Sequence, residues 1–174
     1  KIWEGGMSFH GALLGVILGT YWFSIKKNIP TFFLLDIIAY VAPIGIFLGR
    51  VANFINGELI GKTTDVFWGV VFPKIDNNMR HPSQLYEAFF EGIILFFILV
   101  IFRNKGFIKI PGLISSLFLI FYSIFRFIIE FFRVPDEQLG YLIFNLTMGQ
   151  LISFMFLLIG IYLFSSKYEK KNKT

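Results

Sequence analysis

Apolar residues run through this chain in blocks too long for strands and too unbroken for amphipathic surface helices. Five such blocks, residues 8–25, 32–49, 84–102, 112–131 and 147–165, each come close to the ~20 residues that a helix needs to cross the hydrocarbon of a bilayer. Inside lipid every backbone N–H and C=O must be satisfied within the segment, so each block is predicted as helix. Polar segments punctuate the pattern. Asn28-Ile29-Pro30 predicts a turn, Asn104-Lys105-Gly106 with Pro111-Gly112 a second connection, and Pro135-Asp136 a third. Residues 50–83 are too polar and too rich in glycine to span, and form the one long connection. The expected architecture is all-α: a polytopic transmembrane helix bundle, with residues 1–174 as a single membrane domain.

Composition sharpens this reading. The chain is 56% hydrophobic with a mean hydropathy of +0.70, and 16% charged residues are thin cover for a soluble surface. The net charge of +5 changes meaning once it is placed. Lys26 and Lys27, then Arg103, Lys105 and Lys109, then Lys167, Lys170, Lys171 and Lys173 fall on alternate connections, hence on one side. The positive-inside rule makes that side, and the C-terminus, cytoplasmic. The segment 50–83 and the loop 132–146 then face outward, as small periplasmic parts. The basic balance thus points to membrane lipids and away from nucleic acid, and the basic tail is expected to be a solvated anchor near anionic lipid. The absence of Cys excludes disulfides, zinc thiolates and an enzymic thiol nucleophile. No signal peptide is recognisable. The chain opens on Lys1, and a further N-terminal part is expected.

Charged and amide residues in or near apolar spans are costly and mark function. Here they gather at the outward ends of the spans in four groups. His10, at the mouth of the first span, titrates near neutral pH and can move a proton; an interfacial histidine without a role is the alternative. Gly11, Gly15 and Gly19 recur every four residues and permit close helix packing. The second group is Arg50, Asn53, Asn56, Glu58 and Gly61. An arginine at this depth offers a planar fork for phosphate, Glu58 is placed to neutralise or orient it, and the amides suit glycerol hydroxyls. Arg80, His81, Gln84, Glu87 and Glu91 form the third, with Glu87 and Glu91 one helical turn apart. Such a carboxylate pair finds cations or holds a proton. Tyr122, Arg126, Glu130 and Arg133 form a stripe on the fourth span, where Glu130 can satisfy both arginines; a purely structural ion network is the alternative. Asp136, Gln138, Gly140 and Asn145 follow in the next loop, and Thr147-Met148-Gly149-Gln150 opens the last span.

Together these groups predict an outward-facing polar chamber, rich in arginine and reached from the membrane, for which a phospholipid headgroup is the fitting ligand. No glycine-rich phosphate loop and no His-Glu-x-x-His cluster is present, so no metal and no cofactor is expected. A transporter and a non-catalytic membrane subunit with a lipid-binding chamber are the competing readings.

Gly49-Arg-Val-Ala-Asn-Phe-Ile-Asn-Gly-Glu-Leu-Ile-Gly61 resembles the signature of the prolipoprotein diacylglyceryl transferases. So do Gly6-Met-Ser-Phe-His-Gly11, His81-Pro-Ser-Gln-Leu-Tyr-Glu87, Arg126-Phe-Ile-Ile-Glu-Phe-Phe-Arg-Val-Pro-Asp136 and Thr147-Met-Gly-Gln150, in the family's order. Two departures are mild: Gly11-Ala12 where the family has two glycines, and Ile60-Gly61-Lys62 where many members have Trp-Gly-Arg. The resemblance implies a bacterial inner-membrane enzyme of about seven spans, two of them before Lys1, in a region that also carries a functional tyrosine. It implies transfer of the diacylglyceryl group of phosphatidylglycerol to the lipobox cysteine of a prolipoprotein. On that reading His10, Arg50, Arg126 and Glu130 are the catalytic candidates. His10 is the candidate base, and Glu130 holds Arg126; arginine-assisted attack without His10 is the alternative. Arg50, Asn53, Asn56, Glu58, Gly61, Tyr122, Arg126 and Arg133 are expected to bind the lipid, supported by His81, Gln84 and Glu87.

Overall fold

In the computed structural model the described residues are 9–135, 140–142 and 145–171, with side chains described from residue 14 to residue 169. Among the described residues five long helices form the bundle: α1 (Phe9–Lys27), α2 (Thr31–Asn56), α3 (Ser83–Asn104), α4 (Leu113–Ile129) and α5 (Met148–Lys171). Among the described residues, Thr31–Asn56, Ser83–Asn104, Leu113–Phe132 and Met148–Glu169 are long and apolar enough to cross a membrane. The long connection holds a two-stranded antiparallel ribbon, β1 (Val70–Val71) against β2 (Met79–Arg80), in the register Val70↔Arg80 and Val71↔Met79.

Two helices run well past the apolar blocks that predict them. α2 continues past residue 49 to Asn56, where Gly57 (φ 72°) takes the left-handed conformation that ends it. The Glu58 N–H then reaches back to the Asn53 carbonyl at 2.9 Å, closing the last turn. α5 runs past residue 165 to Lys171, so part of the basic tail is helical. Lys167 is not solvated freely: its Nζ sits 3.9 Å over the ring of Phe32.

The surface is inside-out for water. Trp22 is 62% exposed, Leu48 61% and Tyr162 72%, each on a helix of the bundle. A soluble monomer does not present apolar area on this scale, and lipid is the solvent that accepts it.

The two ends of the bundle differ. At one end Leu95, Leu99, Phe107, Leu113, Ile114 and Leu117 pack into an apolar core. Here fully buried Asp36 of α2 accepts hydrogen bonds from the Gly112 N–H (2.7 Å), the Ser115 N–H (2.7 Å) and the Ser115 hydroxyl. It thereby caps the N-terminus of α4 from another helix, where unpaired donors and the helix dipole favour an acid. The basic connections gather at this end. The opposite end holds the long connection and the polar groups singled out above.

Candidate active site

Three arginines and three glutamates meet at that opposite end. Glu87, fully buried on α3, is the hub. Its Oε2 lies 2.6 Å from Arg50 Nε of α2 and 3.1 Å from Arg126 Nη1 of α4, and its Oε1 accepts a hydrogen bond from Arg133 Nη1 at 3.0 Å. Arg126 continues to Glu130 (Nη2–Oε2, 2.9 Å) and lies 3.9 Å from Glu91. Arg133 Nε stands 3.7 Å from Glu130. The i, i+4 and i, i+3 spacings on α4 and the short 3-10 turn Glu130–Phe132 aim these side chains at one point. The π-helical turn Ala88–Ile94 interrupts α3 between Glu87 and the rest of the helix, and both Glu87 and Glu91 stay buried across it.

Most of these contacts are ion pairs without aligned hydrogen bonds. Arg126 Nη1 and Arg133 Nε, both buried, have no hydrogen-bond acceptor among the described residues, and neither Glu91 oxygen has a donor. Of Arg50, only Nε is paired among the described residues. These buried atoms face the glutamates at ion-pair distance, so the guanidinium surface open to an incoming acceptor is that of Arg50 and Arg126, whose side chains are partly exposed.

The residues after α2 are laid over this cluster. Glu58 accepts from the Asn53 amide at 2.9 Å and the Asn56 amide at 3.5 Å, toward the exposed side. The expectation that Glu58 neutralises Arg50 is therefore corrected: Glu87 takes that place, because α3 brings a buried carboxylate to Arg50 while the turn at Gly57 carries Glu58 away. Gln84 Nε2 donates to the Glu58 carbonyl and the Ser83 hydroxyl to the Leu59 carbonyl (3.3 Å). Gly61 then passes between two backbones. Lys62 N–H donates to the Phe132 carbonyl (2.9 Å), His81 N–H donates to the Lys62 carbonyl (2.9 Å), and Gly61 bridges to Arg133. A Cβ at Gly61 would collide with the His81 carbonyl and lie 2.9 Å from that of Phe132, so only glycine threads here. Arg80 pairs with Asp76 and donates to the Gly61 carbonyl at 3.2 Å. Its hydrogen bond holds the Asp76 carboxyl down at about 2.

The start of α5 closes the far side. Thr147 Oγ1 donates to Glu130 Oε1 at 3.0 Å. The Thr147 N–H donates to Gln150 Oε1 (3.0 Å) while the Gln150 N–H donates to Thr147 Oγ1 (3.3 Å), a reciprocal capping box. Gly149 faces Glu130 so closely that a Cβ would sit 2.8 Å from Oε1. The motif Thr147-Met-Gly-Gln150 is thus a carboxylate cradle, a role the sequence had left unassigned.

Arg50, Glu87, Arg126, Glu130 and Arg133 are brought together, with Gly61, Gln84 and Thr147 around them. Tyr122 lies one turn along α4 from Arg126 and stacks on Phe118 (5.5 Å, 8°). His81 stands apart from the carboxylates: its Nδ1 lies 3.1 Å from the Tyr86 hydroxyl and its ring 5.1 Å from Phe132. The His10 side chain, Asp136 and Gln138 lie outside the described residues. Asp36 was not singled out from sequence, although a lone acid in an apolar run is the signal that finds it.

Residues 1–166 match the model of the family described as prolipoprotein diacylglyceryl transferase. Among curated relatives, the phosphatidylglycerol–prolipoprotein diacylglyceryl transferase of Rickettsia bellii is 57% identical over 165 residues, 94% of this chain and 62% of that protein. Those of Rickettsia akari (55% over 172 residues; 98% and 66%) and Rickettsia typhi (56% over 165; 94% and 63%) are similar. The chain spans 62–66% of the length of these relatives. With four membrane-length helices and this match over most of its residues, the chain is a multi-pass membrane protein that belongs to the prolipoprotein diacylglyceryl transferase family.

Proposed function

We propose that this protein transfers the diacylglyceryl group of phosphatidylglycerol to the lipobox cysteine thiol of a prolipoprotein, in the bacterial inner membrane with its C-terminus cytoplasmic. The observation that carries this reading is the convergence of Arg50, Arg126 and Arg133 on buried Glu87, with part of the Arg50 and Arg126 side chains left exposed. Arginines held by carboxylates from behind are suited to a phosphodiester in front. Arg50 and Arg126 grip the phosphate; Asn53, Asn56 and Glu58, at the exposed rim, face the headgroup glycerol. The thiol loses its proton to a base, for which His10 is the candidate. The sulfur then forms a C–S bond to the diacylglyceryl carbon while the C–O bond to phosphate breaks. Glycerol phosphate leaves with its new charge stabilised by the arginines. The product is a thioether, and no step calls for a metal or cofactor.

Purified protein incubated with phosphatidylglycerol and a lipobox peptide tests this directly. The peptide should gain the mass of one diacylglyceryl group. Arg126→Ala should lower the rate about 10²-fold or more, the ~3 kcal/mol of one lost charge contact in a transition state, while the protein still inserts. Unchanged transfer by that variant would remove Arg126 from the mechanism.

A further inference from the structure

The long connection carries an apolar face that nothing among the described residues covers. Phe67 is 91% exposed and Trp68 49%, their rings edge to face at 4.6 Å. Val71 and Met79, cross-strand partners on the ribbon, are both exposed, and the methyl end of Met79 lies beside Gly69. The ribbon's apolar side therefore joins the Phe67–Trp68 pair in one patch.

The depth of that patch is fixed by its contacts. The Trp68 indole N–H donates to the Tyr86 hydroxyl at 2.6 Å, and Tyr86 sits in the first turn of Ser83–Asn104, a helix of membrane-crossing length. Trp68 is thus level with the outermost turn of a span. It also lines an open groove of about 470 Å³ together with Tyr86, Phe90, Ile128 and Phe132. The last three are themselves exposed apolar residues of the bundle surface, at 40%, 51% and 39%. The patch runs without a break into the surface that lipid covers. An indole whose N–H is satisfied and whose ring is bare suits the boundary between headgroups and acyl chains.

We propose that Phe67 and Trp68 insert into the leaflet at the Ser83 end of α3, with Val71 and Met79 resting against it. The long connection is then anchored in the membrane at its middle. The occupant is the lipid surface itself, and a peptide seated on the patch is an outcome to be excluded. Anchoring there holds the backbone of residues 57–61, already tied to Ser83 and Gln84, at headgroup depth.

The test replaces Trp3 and Trp22 by Phe, leaving Trp68 as the sole tryptophan. The protein is reconstituted in phosphatidylcholine–phosphatidylglycerol vesicles whose acyl chains carry bromine near the headgroup or near the bilayer centre. Trp68 emission should be quenched by the shallow bromines more than by the deep ones, and shielded from acrylamide in the water phase. A second reporter, Phe67→Trp with Trp68→Phe in the same background, should rank the two bromine positions in the same order. Quenching by acrylamide and by neither bromine would place the patch in water and overturn the proposal. Protection from all three quenchers would place protein over it, and would overturn it equally. The reading as a transferase is untouched by either result, since the peptide-modification assay measures it separately.

Discussion

Glu87→Gln removes one negative charge from the centre of the arginine cluster without changing its volume. The wild-type carboxylate faces Arg50 at 2.6 Å, Arg126 at 3.1 Å and Arg133 at 3.0 Å, and its side chain is fully buried. A glutamine keeps one acceptor oxygen but turns an NH₂ toward a guanidinium. Arg126 and Arg133 retain Glu130 at 2.9 and 3.7 Å, whereas Arg50 loses its only anionic partner among the described residues. Removing one partner of a buried pair costs about 3–5 kcal/mol, because the remaining charge stays desolvated. That is a large part of a total stability of about 5–15 kcal/mol. At about 2–4 °C per kcal/mol for a chain of this size, the thermal midpoint in detergent should fall by about 6–20 °C. A double-mutant cycle with Arg50→Gln isolates the pair. Once Arg50 is gone, Glu87→Gln should cost less, with a coupling of 0.5 kcal/mol or more, about the limit for additivity between groups that do not touch. A midpoint within about 2 °C of wild type, or strict additivity in the cycle, would show that the carboxylate does not carry the arginines, and the account of the cluster would fail.

Three further outcomes follow from the same geometry. Gly149→Ala drives a Cβ to 2.8 Å from Glu130 Oε1, so it should cost about 1–3 kcal/mol and depress transfer, whereas Gly45→Ala, with nothing within 4 Å, should leave the thermal midpoint in place or raise it. Arg50→Lys keeps the charge but loses the fork, and should fail in the peptide-modification assay; activity near that of wild type would mean that charge alone suffices. Asp76 should titrate near 2 by carbon-detected magnetic resonance. Because its folded pKa lies below the ordinary value of 3.8, its contribution to the ribbon is complete above about pH 4 and is lost only as pH falls toward 2. An Asp76 midpoint at the ordinary value would deny the Arg80 pairing.

Much of this was legible in the chain itself. Apolar blocks of membrane length located the helices, because lipid leaves the backbone only one way to satisfy its polar groups. The stripe Tyr122, Arg126, Glu130 and Arg133 followed from helical spacing alone. What periodicity does not contain is which carboxylate meets which arginine across helices. Arg50 has Glu58 eight residues away in sequence, yet the left-handed Gly57 turn separates them and α3 supplies Glu87 instead. Thr147 and Gly149 show the same limit: their motif was visible, but a cradle for Glu130 exists only once α5 packs against α4. Arg50 and Asn53 keep helical spacing beyond the apolar run, so polarity there does not mark where α2 ends; the left-handed Gly57 does.

On the proposed reading, the unequal burial of the cluster assigns its two sets of charges to different tasks. The Glu87 and Glu91 side chains are fully buried, whereas Arg50 keeps 20% and Arg126 14% of its side chain exposed. An arriving phosphate meets guanidinium before carboxylate. Three arginines against three glutamates carry no net charge when all are ionised, so the cluster exerts little long-range pull on an anion. Recognition must then come from the exposed parts of the Arg50 and Arg126 side chains, at short range and after lipid has already delivered the headgroup to the right depth. That explains why the carboxylates are built in: without them the cations could not be buried this far. It also argues against Glu130 as a proton carrier. Arg126, Arg133 and Thr147 stand against its oxygens, and Gly149 is pressed against them, which leaves a carboxylate held in place to aim arginine.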